Sequence, residues 1–145
     1  MSCIFCEIAA GTLPAEIVWR GEGALAFLDN RPLFPGHVLL IPDRHIETLS
    51  ELPLEAVGPL FEAAQKIERA VVAAMKAEGS FVAMNNRVSQ SVPHLHVHIV
   101  PRTKGDGLKG FFWPRRLYSS PDHMAEVGAA IHHSLMIVAQ SEPRA

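Results

Sequence analysis

The sequence predicts an α+β domain, a mostly antiparallel five-stranded sheet with two main helices. Three observations carry that reading. Apolar runs of strand length are separated by tight-turn signals such as Gly21-Glu22 and Pro35-Gly36. Leu60, Phe61, Ala64, Ile67, Val71, Ala74 and Met75 recur at helical spacing. Met124, Val127, Ile131, Leu135 and Val138 do the same near the end of the chain.

Residues 15–20 and 23–28 read as two strands around the Gly21-Glu22 turn. The run His37-Val38-Leu39-Leu40-Ile41 follows Pro35-Gly36 and is stopped by Pro42. The long helix comes next. Gly79 suits its C-terminal stop, and its start is left open because Gly58-Pro59 would disturb a helix begun at Leu54. Residues 81–85 read as a strand, 86–92 as a loop and 94–100 as a strand stopped by Pro101. Residues 102–120 have little periodicity and hold the cluster Phe111-Phe112-Trp113. Loops of that length are usually functional or mobile. A last helix spans about 121–138.

The chain of 145 residues fits one domain, with a core over about 1–102 and a C-terminal loop and helix over 103–145. Hydrophobic content of 48% and charged content of 19% are those of a soluble globular protein. A net charge of −2 argues against a general nucleic-acid binder, which would carry a basic patch. No stretch reaches the roughly 18 apolar residues of a membrane span, and the start has no signal-peptide pattern. These features predict a cytoplasmic protein. Its two cysteines, Cys3 and Cys6, form a C-x-x-C and no disulfide framework.

The informative segment is Gln90-Ser91-Val92-Pro93-His94-Leu95-His96-Val97-His98-Ile99-Val100. Side chains alternate along a strand, so His94, His96 and His98 share one face while Leu95, Val97 and Ile99 pack inward. A single strand histidine is usually structural; three in a row on one face are hard to explain as packing. One metal bound by all three is a poor fit. At a rise of roughly 3.3 Å per residue, His94 and His98 lie about 13 Å apart at Cα. Separate jobs suit the spacing better: the middle ring attacks and its neighbours orient it or bind charge. An unprotonated imidazole attacks phosphorus without the activating base that serine needs, and leaves readily afterwards.

His94-Leu95-His96-Val97-His98-Ile99-Val100 resembles the His-φ-His-φ-His-φ-φ signature of the histidine triad family of nucleotidyl hydrolases and transferases. Cys3-Ile4-Phe5-Cys6-Glu7-Ile8 is similar to the opening of many bacterial members. Asp29, Pro32, Pro35-Gly36-His37 and Ile41-Pro42-Asp43-Arg44-His45 resemble the central strand and its flanks. Gln90-Ser91-Val92 sits where the family carries it, and the likeness covers about residues 1–102.

The resemblance implies that His96 forms a covalent nucleotidyl-histidine. It implies that His98 and the Gln90-Ser91 loop contact the α-phosphate, and that His37 approaches the triad from the neighbouring strand. Asp29 would accept hydrogen bonds from ribose hydroxyls, although Asp before Asn30 also reads as a turn cap. An asparagine, Asn85 or Asn86, would add a phosphate contact; the loop here lacks the glycines that many members place before the Gln. The resemblance further implies a homodimer in which two small sheets join; the helix over 61–75 and the strand over 81–85 are the candidate interface, and Phe111, Phe112 and Trp113 are candidates to reach toward the partner's pocket.

Cys3 and Cys6 have the spacing of a zinc knuckle. In the related galactose-1-phosphate uridylyltransferases, a C-x-x-C, a distant His and the His two before the nucleophile close a zinc site. By that resemblance Cys3, Cys6, His45 and His94 would hold structural zinc. Buried free thiols or a redox pair are the other readings. The expected activity is hydrolysis or transfer at the α-phosphate of a dinucleoside polyphosphate or nucleoside phosphoramidate. The competing readings are a non-catalytic nucleotide-binding signalling module and a metal-dependent hydrolase that uses the histidines as ligands.

Overall fold

A computed structural model describes residues 2–21, 23–109 and 115–141. Five strands form one sheet in the order β1-β2-β3-β5-β4, and all its pairings are antiparallel. They are β1 (Ile17–Gly21), β2 (Ala24–Leu28), β3 (Val38–Pro42), β4 (Gly79–Ala83) and β5 (Val97–Arg102). Helix α1 (Ile4–Ala10) precedes them and α2 (Leu54–Met75) lies between β3 and β4. This unit spans Met1–Gly107; the second unit, Leu108–Ala145, carries α3 (Pro121–Ser141).

The period-two rule explains how the sheet is covered. Ala24, Ala26, Val38, Leu40, Val97 and Ile99 join one core with Leu60, Ala63, Ala64, Ile67 and Val71 of α2. The intervening Leu25, Phe27, Leu39 and Ile41 join a second core with Phe5 and Ile8 of α1. The β2 and β3 strands are therefore buried on both faces, which suits their nearly continuous apolar runs.

Several boundaries differ from the sequence reading, each for a physical reason. The α2 helix begins at Leu54 and runs through Pro59. Pro59 and Glu55 are both exposed, so water can replace the backbone bond that proline removes. The helix stops at Lys76, which takes the left-handed conformation (φ 52°), while Ala77 N–H donates to Val72 O at 3.0 Å. Gly79 opens β4 instead of ending the helix, so β4 lies two residues earlier than expected. Pro101 falls inside β5, not after it, opposite Ser80. Pairing with β3 has ended by Ile99, so no neighbour on that side needs its missing N–H. The α1 helix is absent from the sequence reading, since seven residues are too few for a clear period.

Among the described residues no helix is long and apolar enough to cross a membrane. In the second unit α3 starts behind Ser120, whose Oγ accepts from His123 N–H at 3.0 Å, and none of its described side chains is buried. Phe111, Phe112 and Trp113 lie outside the described residues.

Candidate active site

The three triad histidines do not share a strand. Only His98 lies within β5; His94 and His96 sit in the segment that leads into it. Their alternation with the core survives, because Leu95, Val97 and Ile99 all enter the α2-side core. Each ring then has its own surroundings.

His96 is almost fully buried. Its Nδ1–H donates to the main-chain carbonyl of His94 at 2.7 Å. That bond assigns the proton to Nδ1 and leaves Nε2 as the lone-pair nitrogen. Phe5 of α1 packs edge-on against this ring at 5.2 Å between centroids, and the His98 ring stands at 4.9 Å.

His98 and His37 form a directed pair. Leu33 N–H donates to His37 Nδ1 at 3.1 Å, so the His37 proton is on Nε2. His37 Nε2 and His98 Nδ1 are 3.0 Å apart. His37 is thus the donor, His98 Nδ1 accepts, and the His98 proton lies on Nε2. Burial, followed by the neighbouring His96 and His37, lowers the His98 pKa to about 4 against an opposing pull from Asp29. Burial likewise lowers His37, opposed by Asp29. At neutral pH both rings are uncharged, and the backbone fixes their tautomers.

His96 and His98 line a cavity of about 840 Å³. Its apolar wall comes from Ile4, Phe5, Ile8, Leu13, Phe27 and Leu39, and its polar part includes Asp29, Arg31 and Ser91. This volume is in the range of small-molecule sites. Asp29 is a turn residue that also stands at the cavity. One carboxylate oxygen accepts from Arg31 N–H at 2.8 Å in a turn, and the residue also lines the cavity. The carboxylate stands 3.7 Å from His37 Nδ1, beyond a hydrogen bond.

Asn86 and Gln90 are not among the residues that line this cavity, and their side chains are engaged with the backbone. Asn86 Oδ1 accepts from Leu49 N–H at 2.7 Å. Gln90 accepts from Arg87 N–H at 2.8 Å and donates to Glu47 O at 2.6 Å, while Asn85 donates to Ser89 O at 3.1 Å. The reason is backbone strain. Arg87 (φ 68°) and Ser89 (φ 59°) occupy the left-handed region without glycine, at about 1–2 kcal/mol each, and the amide side chains brace that loop. The sequence reading also missed Phe5, Ile8, Leu13 and Phe27 as cavity wall. Ile4, Phe5 and Ile8 at helical spacing before Gly11 were the available signal.

The fourth histidine environment is a donor cluster. The donor atoms of Cys3, Cys6, His45 and His94 all lie within 4.8 Å of one another. His94 Nδ1 is 3.5 Å from both sulfurs, and Cys6 Sγ is 3.3 Å from His45 Nδ1. A sulfur and a nitrogen bound to one tetrahedral ion, at about 2.3 and about 2.0–2.1 Å, lie about 3.5 Å apart. His94 Nε2–H donates to Pro42 O at 2.9 Å, which turns the unprotonated Nδ1 toward the thiols, as a metal-ligating imidazole requires. The residues therefore fit a soft divalent ion. Burial, then Cys3, raises the Cys6 thiol above its usual range. Asp29, His37 and His98 form another close group, but the His37–His98 hydrogen bond engages the facing nitrogens.

Fold and site together define the class: a small α+β domain presenting a buried lone-pair imidazole nitrogen beside a small-molecule cavity. Residues 10–105 match the HIT domain family, and the chain belongs to it. "Protein hit" of Bacillus subtilis is 43% identical over 115 residues, which are 77% of this chain and 79% of the relative. "Adenosine 5'-monophosphoramidase hnt1" of Schizosaccharomyces pombe is 34% identical over 133 residues, 90% of this chain and 96% of the relative. A zinc-bound histidine triad family protein from Mycobacterium smegmatis superposes with a TM-score of 0.71 at 36% identity, over 90% of this chain and 98% of that one. The family thus includes nucleotide hydrolases.

Proposed function

We propose that the protein is a nucleotidyl hydrolase or transferase acting at the α-phosphorus of a nucleoside phosphoramidate or dinucleoside polyphosphate. The observation that carries the reading is the 2.7 Å bond from His96 Nδ1–H to the His94 carbonyl, on a ring that lines the cavity. His96 Nε2 attacks phosphorus, the N–P bond forms, and the amine or phosphate departs. Positive charge then spreads to Nδ1–H, where the His94 carbonyl dipole stabilises it. Water attacks the same phosphorus in the second step and returns the free imidazole. His98 Nε2–H and the Ser91 end of the loop neutralise charge on the non-bridging oxygens. His37 holds the His98 tautomer, and Asp29 takes the ribose hydroxyls. Gln90 and Asn86 contribute by shaping the loop that presents Ser91. The Phe5, Ile8 and Phe27 wall receives the base.

Cys3, Cys6, His45 and His94 would hold structural zinc, which ties the N-terminal helix to the triad segment; metal analysis should find one zinc per chain. Two free thiols suit a reducing compartment, and we place the protein in the cytoplasm. A homodimer through α2 and the edge strand β4 fits the exposure of Phe61 and Val82 there, and light scattering at micromolar concentration should give twice the chain mass.

The decisive experiment supplies adenosine phosphoramidate and diadenosine polyphosphates and measures release of the mononucleotide. With a chiral α-phosphorothioate, two in-line displacements give net retention. Inversion would mean direct attack by water and remove His96 from the nucleophile's role. Tight nucleotide binding with no product would point instead to a non-catalytic signalling module.

A further inference from the structure

His94 faces two ways. Its ring nitrogen Nδ1 stands 3.5 Å from both cysteine sulfurs, and its carbonyl oxygen holds the His96 Nδ1 proton at 2.7 Å. A second link runs beside it. Phe5 lies between Cys3 and Cys6 in the chain and packs edge-on against both His94 (5.9 Å) and His96 (5.2 Å). Whatever moves the two sulfurs therefore moves groups that touch His96 on two sides. The cysteines are the only two in the chain, and both are half-buried, within reach of a small oxidant.

We infer that Cys3 and Cys6 are a site of reversible oxidation by hydroperoxides, and that their state is read at His96 through His94 and Phe5. The inference rests on the proposed role of His96. In the first step one cysteine sulfur gives up its proton and attacks the outer peroxide oxygen. The O–O bond breaks, and the alkoxide leaves and takes a proton. In the second step the other sulfur gives up its proton and attacks the sulfenic sulfur; the S–S bond forms, the S–O bond breaks and hydroxide leaves with that proton as water. Two thiols and one hydroperoxide give one disulfide, one alcohol and one water. The sulfurs must close to about 2.05 Å, so they cannot both keep their places beside His94 Nδ1. The cluster loses two donors, and the first turn of α1 shifts with Phe5. Thiol–disulfide exchange with a dithiol reverses the change.

The test treats the full-length protein with tert-butyl hydroperoxide and follows intact mass, bound metal, turnover and the side-chain nitrogen resonances of His96. We expect a mass lower by about 2 Da, and loss of metal where it is bound. The His96 nitrogen resonances should shift, and kcat should fall about 10- to 100-fold, the scale of a misplaced catalytic group. Dithiothreitol should reverse all of it. Cys3→Ser cannot form the bridge, so its turnover should not respond to peroxide whatever its starting value. A disulfide that leaves kcat and the His96 resonances unchanged would overturn the inference. So would inactivation without the mass loss, or failure to form the disulfide at all. Reduced protein that turns over no nucleotide would sink the proposed function instead, and the His96 resonances would still decide whether the thiols are coupled to that ring.

Discussion

The two faces of the sheet are covered by very different amounts of helix. On one face the 22-residue α2 packs Leu60, Ala63, Ala64, Ile67 and Val71 across the strands and seals an apolar core. On the other, the seven-residue α1 buries Phe5 and Ile8, with Ala9 partly buried beside them. The thin cover leaves the 840 Å³ cavity, and His96 and His98 stand at its wall. A long helix makes scaffold and a short one makes room. The same strands serve both, because adjacent residues point to opposite faces.

The largest expected effect is on the thinly covered face. His96→Asn should lower kcat by at least about 10³-fold, as deletion of an activated nucleophile does. Nucleotide affinity should change little, since base and ribose contacts lie elsewhere in the cavity. Single-turnover kinetics and a binding titration separate the two. An equal loss of affinity and rate would mean that His96 binds and does not attack.

Leu39 and Leu40 sharpen the contrast, because they are neighbours on β3 with opposite faces. Leu40 is fully buried against α2, so Leu40→Ala leaves a cavity and should cost about 2–5 kcal/mol of stability with kcat intact. Leu39 lines the existing cavity, where water or ligand can refill the space. Leu39→Ala should therefore destabilise less and raise KM more. Denaturant titration beside steady-state kinetics gives both numbers. Equal stability losses would mean that the cavity face is packed as tightly as the core.

These contrasts also mark what was legible in the sequence. Apolar runs bounded by turn signals revealed the strands, and 3.6-residue spacing revealed α2, because that helix is long enough to repeat a pattern. The alternation of the three histidines with core residues was readable from spacing, but their strand was not, since only His98 lies within β5. The α1 helix could not be read, since Phe5 and Ile8 make one turn of signal and Cys3 and Cys6 drew a metal reading from the same stretch. The site's polar detail was least legible. That Gln90 and Asn86 brace a loop depends on Arg87 and Ser89 adopting positive φ, which no side-chain pattern announces. The tautomers of His37 and His98 depend on a backbone N–H, that of Leu33, and side-chain type gives no hint of it.

Acid should act on the histidine face alone. His98 is held near a pKa of 4 against an ordinary 6.5, and His37 and His94 are also lowered by burial. The unfolded chain then binds protons that the folded chain refuses. The stabilising contribution is fully present above about pH 6.5 and is lost as pH falls toward 4. Thermal melts from pH 8 to 4 should show a plateau and then a decline. His98→Gln should flatten that decline, while Leu40→Ala should shift the whole curve down without changing its shape. A decline of unchanged steepness in His98→Gln would assign the acid sensitivity to other groups.

The smallest effect is expected where the two faces meet. Gly36 adopts φ +94°, and a Cβ placed there would stand 2.6 Å from Met75 Cγ and 3.3 Å from Pro101 Cγ. Alanine is therefore opposed twice, by the left-handed backbone and by contact with the end of α2. Met75 is partly exposed and flexible, so it can yield; the proline ring cannot yield as easily. Gly36→Ala should lose about 1–2 kcal/mol of stability. His37 follows immediately, but its ring is held at both nitrogens, by Leu33 N–H and by His98. The strain should thus be absorbed on the α2 side, and kcat in the folded protein should match the wild type. A clear drop in kcat with little loss of stability would show the reverse: strain at the turn would be reaching His98 through His37, and the two faces would not be mechanically separate.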